Sequence, residues 1–218
     1  MNLYSRGVLI VVWLFLAIVF AAPVMASEPD SYAKAQVEYS RDPGTVLISF
    51  REIFPEFADQ DPTPLIRIYG DGRVVVFHPA YMKQAGQYEM MMSRNELEDL
   101  LLQLTPVLMN FDAGEVKRQK KAANQLLWNA ATELEDLTLF YDSDAEISVF
   151  QLNIDAYRPN GLQGQTIYMQ ALEQSWRGLR YDAKDYLGLK SIQGLMQAEK
   201  ALKAFTGRVE LVEVESLP

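Results

Sequence analysis

The sequence predicts an α+β fold: an antiparallel sheet built from two β-hairpins plus edge strands, packed with amphipathic helices. Three observations predict it. Strand-like segments come in pairs around tight turns and not singly between helices, which is the pattern of hairpins and not of parallel crossover units. Two segments carry apolar residues at helical spacing: Leu97, Leu100, Leu101 and Leu104, then Ile192, Leu195, Met196 and Leu202. The composition is 49% hydrophobic and 22% charged over 218 residues, which argues for a chain with a substantial core and against a disordered one.

The first 26 residues read as an export signal. Arg6 gives a positive start, Val8 to Ala22 is an unbroken apolar run, and Val24-Met25-Ala26 presents aliphatic and small residues at a cleavage site. Cleavage is expected after Ala26, with the protein periplasmic or secreted. The competing reading is an uncleaved anchor across residues 8–25, since the run falls only slightly short of the roughly 20 residues that span a bilayer. No cysteine follows the run, so bacterial lipidation is excluded. Residues 27–44 read as an N-terminal strap with a short helix near Tyr32–Val37. Residues 45–218 read as one α+β domain, or as two packed halves, 45–136 and 137–218.

Within that domain, Thr45–Arg51 alternates as a strand, and Phe54–Pro64 is a proline-rich acidic loop. Around Asp71-Gly72 two apolar runs face each other, and that dipeptide suits a two-residue hairpin turn. Such a turn pairs Tyr69 with Val74 and Ile68 with Val75. It places Ile66, Ile68, Val75 and Phe77 on one face, and Leu65, Arg67, Tyr69, Val74, Val76 and His78 on the other. Pro79 ends the strand, and residues 79–92 form a loop running into an extended stretch. Ser93 and Glu96 form a capping box, with Met92 and Leu97 at the staple positions, so a helix starts there. Thr105-Pro106 is expected to end or kink it. A second helix is predicted over about Glu115–Asp136. Leu137–Tyr141 and Glu146–Tyr157 read as a second hairpin, with a bulge between Val149 and Phe150. Tyr168, Leu172, Trp176 and Leu179 favour a helix over Thr166–Leu179. Leu187–Phe205 is a further helix, stopped at Gly207, and Arg208–Glu215 a closing strand. Tyr69-Gly-Asp-Gly and Tyr141-Asp-Ser-Asp, each followed by a Tyr-Met pair, hint at a faint duplication.

The residue inventory narrows the chemistry. Without cysteine there are no disulfides, thiolate nucleophiles or Cys-ligated zinc. A single histidine, His78, excludes multi-histidine metal sites. A net charge of −9 disfavours nucleic acid as a partner. Asp142-Ser143-Asp144-Ala145-Glu146 begins like a calcium loop, but Ile147 stands where the sharp turn needs glycine and Asn153 where the bidentate glutamate belongs. Ser31-Tyr32-Ala33-Lys34 matches a short Ser-x-x-Lys pattern without the Lys-Thr-Gly that would give it meaning. No catalytic residue, metal site or cofactor is assigned.

Two groups remain as candidate binding residues. His78, Tyr81, Lys83 and Tyr88 gather around the first hairpin and its loop, beside Phe77 and Met90-Met91-Met92. Tyrosine and methionine adapt well to recognition surfaces. Lys117, Arg118, Lys120 and Lys121 form a basic cluster near a helix start, suited to an acidic partner or to anionic headgroups. Charge reversal at Lys117 and Lys120 is expected to leave folding intact. The reading favoured is a non-enzymatic exported domain that binds a protein or envelope component, meeting a membrane only through its N-terminal segment. The rival is an exported carboxylate-dependent hydrolase, with or without a divalent metal, built on a pair of the chain's 29 acids.

Overall fold

Local signals build the elements in chain order. The computed structural model describes residues 34–56, 61–131, 145–159 and 165–214. Strands β1 (Gln36–Glu38), β2 (Val46–Ile53), β3 (Ile66–Tyr69), β4 (Arg73–His78) and β5 (Gly86–Met91) come first, then helices α1 (Arg94–Met109) and α2 (Ala113–Ala131). Strands β6 (Ile147–Leu152), β7 (Ala156–Arg158), β8 (Ile167–Tyr168) and β9 (Leu172–Arg177) follow, then helices α3 (Leu179–Asp185) and α4 (Lys190–Lys203), a 3-10 turn (Ala204–Gly207) and β10 (Val212–Val214). Seven strands form one antiparallel sheet in the order β10-β5-β4-β3-β2-β6-β9, and β1-β7-β8 form a smaller antiparallel sheet. Among the described residues, four helices with two antiparallel sheets make this an α+β fold, as the sequence predicts.

The first hairpin forms, but its register differs by one residue from the expected one. Ile68 pairs with Val74, Arg67 with Val75 and Ile66 with Val76. The loop is therefore three residues, Gly70-Asp71-Gly72. The Gly72 amide closes a turn on the Tyr69 carbonyl at 3.0 Å, and Gly72 takes the left-handed region with φ 91°. A three-residue loop ending in a left-handed glycine is the next commonest hairpin after the two-residue kind. Because side chains alternate, one residue of slip moves every side chain of β4 to the other face. Ile66, Ile68, Val74 and Val76 share the face buried under the helices. Arg67, Tyr69, Arg73, Val75 and Phe77 share the opposite one.

Helix α1 starts at the capping box: the Glu96 amide donates to Ser93 Oγ, and the Ser93 amide donates to Glu96 Oε2 at 2.9 Å. Pro106 does not end it. The helix runs one turn further, to Met109, because that turn buries Leu108 and finds partners for its carbonyls. The Asn110 side-chain amide donates to the Pro106 carbonyl, and Gln174 Nε2 on β9 donates to the carbonyls of Leu108 and Phe111. Leu97, Leu100, Leu101, Leu104 and Leu108 join Ile192, Leu195 and Leu202 of α4 over Ile48, Phe50, Phe150 and Leu152 of the sheet. This is the main core.

Other expectations are corrected. The strap carries a strand, β1, in place of a helix, because residues 36–38 pair with β7; Tyr32 itself lies outside the described residues. Leu137–Tyr141, half of the expected second hairpin, also lies outside them, as does Tyr141 of the suggested repeat. The other half, Glu146–Tyr157, is divided in two: β7 joins the smaller sheet, and β6 is held along its whole length by β2 on one side and β9 on the other. Its register is continuous through Val149 and Phe150, without a bulge. The two apolar phases there reflect burial on both faces, as a central strand allows. The predicted 166–179 helix is instead β8 and β9. Leu172, Gln174 and Trp176 turn inward, while Glu173, Ser175 and Arg177 are exposed. A spacing of four satisfies a two-residue period as well as a helical one, so Tyr168, Leu172 and Trp176 fit both patterns.

Candidate functional site

The helices pack on one face of the seven-stranded sheet. On the other face, β2 to β6 carry polar and apolar residues in rows. One row runs Glu173, Gln151, Ser49, Arg67, Val75, Glu89 across β9, β6, β2, β3, β4 and β5. Val75 is only 1% exposed, yet it is not part of the helical core. Its cross-strand neighbours are Arg67 and Glu89, and long charged side chains can shield apolar surface with their stems.

These side chains are ordered by one another. Arg67 Nη2 donates to Gln87 Oε1 at 3.2 Å, and Gln87 Nε2 donates to Glu89 Oε1 at 3.4 Å. Arg73 pairs with the same Glu89 oxygen at 3.3 Å, donates to the Pro43 carbonyl at 3.1 Å, and lies over the Tyr69 ring at 4.0 Å. Arg67 Nε is buried and, among the described residues, has no partner. Met91 at the rim is 61% exposed. Further along, Ser49 Oγ donates to Gln151 Oε1 and Gln151 Nε2 to Glu173 Oε2, both at 2.7 Å. They border a shallow depression of about 360 Å³ lined also by Leu47, Asn153 and Ala171. Glu173 is the one carboxylate in its lining. Arginine, tyrosine and methionine set in a frame of paired charges suit recognition of a polar surface.

The sequence-predicted residues fall into two places that the structure does not bring together. His78 ends β4. Its ring meets Tyr88 edge-on at 5.2 Å between centroids, and its Nδ1 lies 3.4 Å from Met82 Sδ. Tyr88 is half-buried against the core, while Tyr81 is 77% exposed and Lys83 is exposed. This group sits at the β5–β10 side of the sheet. The basic cluster sits by the other edge, next to β9. Five strand spacings separate β5 from β9, roughly 24 Å.

Within the basic cluster only Lys117, Arg118 and Lys121 are exposed, and Arg118 pairs with Glu115 at 2.7 Å. Lys120 is a different case. It donates to both oxygens of buried Asp182, at 2.5 and 2.6 Å, and lies over the rings of Trp176 and Tyr186. Trp176 Nε1 donates to Asp182 as well, at 2.6 Å, and the Tyr186 hydroxyl donates to Asn124. Lys120 thus clamps α2 to β9 and α3. Charge reversal there places two carboxylates together in a half-buried site, so intact folding stays the expectation for exposed Lys117 and is withdrawn for Lys120.

The buried acids are engaged with cations. Glu199 accepts from Ser148 Oγ at 2.7 Å and from Lys203 at 2.8 Å, and Lys203 also reaches Glu52 at 2.6 Å. Burial alone pulls the Lys203 ammonium down. The hydrogen bonds and charges of Glu199 and Glu52 outweigh it and hold it above the usual lysine value. Glu146, the last residue of the calcium-like run, pairs with Arg180 at 2.6 Å; Asp142–Asp144 lie outside the described residues. The hydrogen bond to Glu146 keeps the Arg180 guanidinium above its ordinary pKa. Among the described residues, no three His, Asp or Glu side chains converge on a point that would hold a metal ion.

Sequence reasoning missed Arg67, Arg73, Gln87, Glu89, Ser49 and Gln151. Their shared face follows from alternation alone once the hairpin register is right, and the signal for that register was Gly70 beside Asp71-Gly72. No family, no curated protein and no solved structure matches this chain.

Proposed function

We propose that this protein is an exported, non-catalytic binding module that recognises another protein through the face of its first hairpin and β5 opposite the described helices. One observation carries the reading: Tyr69, Arg73, Gln87 and Glu89 are ordered by mutual contacts on a face away from the main core, with exposed Met91 at its rim. Paired charges favour a polar protein surface over a lipid surface, which asks for a cationic excess or an apolar patch. The loop carrying Tyr81 and Lys83 adjoins this region and extends it.

Mild crosslinking in the native envelope, followed by mass spectrometry, tests the reading. A stoichiometric protein partner is expected, crosslinked near β4 and β5. Phe77→Asp with Met91→Arg is expected to abolish its capture, while Lys117→Glu with Lys121→Glu leaves capture unchanged. Equal capture by the hairpin variant and the unaltered chain removes this surface from consideration. Export is tested separately by intact mass, which is expected to match a chain beginning at Ser27.

A further inference from the structure

We propose that two copies of this chain pair through the outer edge of β9, joining their sheets about a two-fold axis at Ser175. The inference begins with backbone hydrogen bonding. The Gly178 amide donates to the Glu146 carbonyl at 2.8 Å, in step with the β6–β9 register. Hydrogen-bonded pairs alternate along an antiparallel ladder. Gly178, Trp176, Gln174 and Leu172 therefore direct their amides and carbonyls inward to β6. Glu173, Ser175 and Arg177 direct theirs outward. No described strand pairs with that edge.

An antiparallel copy can bond to this edge only in registers that set outward residues opposite outward residues. With the axis at Ser175, Ser175 opposes its own copy, and Glu173 opposes Arg177 twice. All three residues are exposed and point to the face opposite the described helices. Moving the axis to Gln174 sets Glu173 opposite Ser175 and Arg177 opposite Ala171. Moving it to Trp176 sets Ser175 opposite Arg177 and carries Glu173 past the strand. Only the Ser175 axis yields opposite-charge pairs, and it yields two by symmetry. Opposite charges directly across a ladder stabilise, and like charges oppose pairing. Arg177 has a partner within its own chain, and a guanidinium with five donors accommodates a second acceptor. The axis stands perpendicular to the sheet, so the faces of both copies opposite the described helices become one surface. The inference does not depend on what that surface binds.

The absence of cysteine makes the test direct. Ser175→Cys in the full chain, purified in mild detergent, is expected to form a disulfide-linked dimer on gentle oxidation. Hydrogen-bonded antiparallel partners have Cα atoms about 5.5 Å apart, within disulfide reach. Glu173→Cys is expected not to crosslink, because its copies lie about 13 Å apart along the strands in this register. Glu173→Lys, read by sedimentation equilibrium, is expected to weaken the dimer about tenfold by setting like charges opposite each other twice. A chain that stays monomeric at about 100 μM, well above a micromolar affinity, overturns the proposal. So does equal crosslinking at residues 173 and 175, or an affinity unchanged by Glu173→Lys.

Discussion

The two faces of the large sheet are made by the same strands and held by different physics. Toward the helices, Ile48, Phe50, Ile66, Ile68, Val74, Val76, Phe150 and Leu152 are nearly or wholly inaccessible and touch one another and the leucines of α1. On the far side, Val75 and Val149 are buried to a similar degree, yet lie outside that cluster. Directly across from Val75 on its two neighbouring strands stand Arg67 and Glu89, whose stems can shield it. Burial by a packed helix carries stability, because each lost methyl group leaves a cavity that rigid neighbours cannot fill. Burial by side-chain stems is adjustable, because a stem can move aside with little loss. The first face fixes the fold, and the second is the one on which the proposed recognition is placed.

The sharpest way to break this comparison is to truncate one aromatic on each face. Phe50→Ala, which removes the partner of Phe150 at 5.2 Å, is expected to cost about 3–5 kcal/mol in urea unfolding. Phe77→Ala on the far face is expected to cost below about 1 kcal/mol. Equal losses would mean that the far face is a second core.

The polar end of the helical face gives the next largest effect. Lys203→Met leaves Glu199 and Glu52 without their shared cation and is expected to cost about 2–3 kcal/mol, less than for a fully buried pair because the ammonium keeps some water. The pH dependence follows from the raised lysine pKa. The folded state holds the proton more tightly than the unfolded chain. The stabilisation is therefore complete below the unfolded value near about pH 10.4 and is lost as pH rises through the folded value. Thermal melts above about pH 10 are expected to fall more steeply for the unaltered chain than for Lys203→Met.

Two comparisons of smaller effect sharpen the contrast between clamping and surface charges. Lys120→Glu is expected to destabilise by about 2 kcal/mol, through repulsion with Asp182 and loss of the clamp, whereas Lys117→Glu stays within about 0.5 kcal/mol. Arg67→Met keeps an apolar stem beside Val75, removes the Nε donor that has no partner among the described residues, and gives up the part-buried hydrogen bond to Gln87; the gain and the loss offset, so stability is expected to change by less than about 1 kcal/mol. Its effect belongs in partner capture, not in the melting curve.

Where local chemistry decides, the sequence was readable. Ser93 and Glu96 marked the start of α1 because both halves of a capping box lie within four residues. Val46, Ile48 and Phe50 marked β2 by alternation. The misread segments are those where a distant partner decides. Pro106 would stop an isolated helix, and it is accommodated because Gln174, far along the chain, takes the final carbonyls. Leu172 and Trp176 fit two periods, and pairing with β6 chose between them. The candidate site was partly legible. Residues of the first hairpin were singled out, but a one-residue register error placed Arg67 beside Val74 and Val76 in place of Val75. The clamp role of Lys120 was invisible because Asp182 lies 62 residues away.

The pairing of β1 with β7 also sets an order of events in time. Residues 36–38 are near the beginning of the chain, and their partners are residues 156–158. β2 likewise waits for β6. Closing such long loops is slow, because the entropy of bringing distant ends together is spent before any contact forms. β1 is thus paired late, and until β6 exists the central strand β2 has only β3 to hold it. The meander β2 to β5 with α1 needs no distant partner, whereas β1 and the second side of β2 can close only once β6 and β7 have been made.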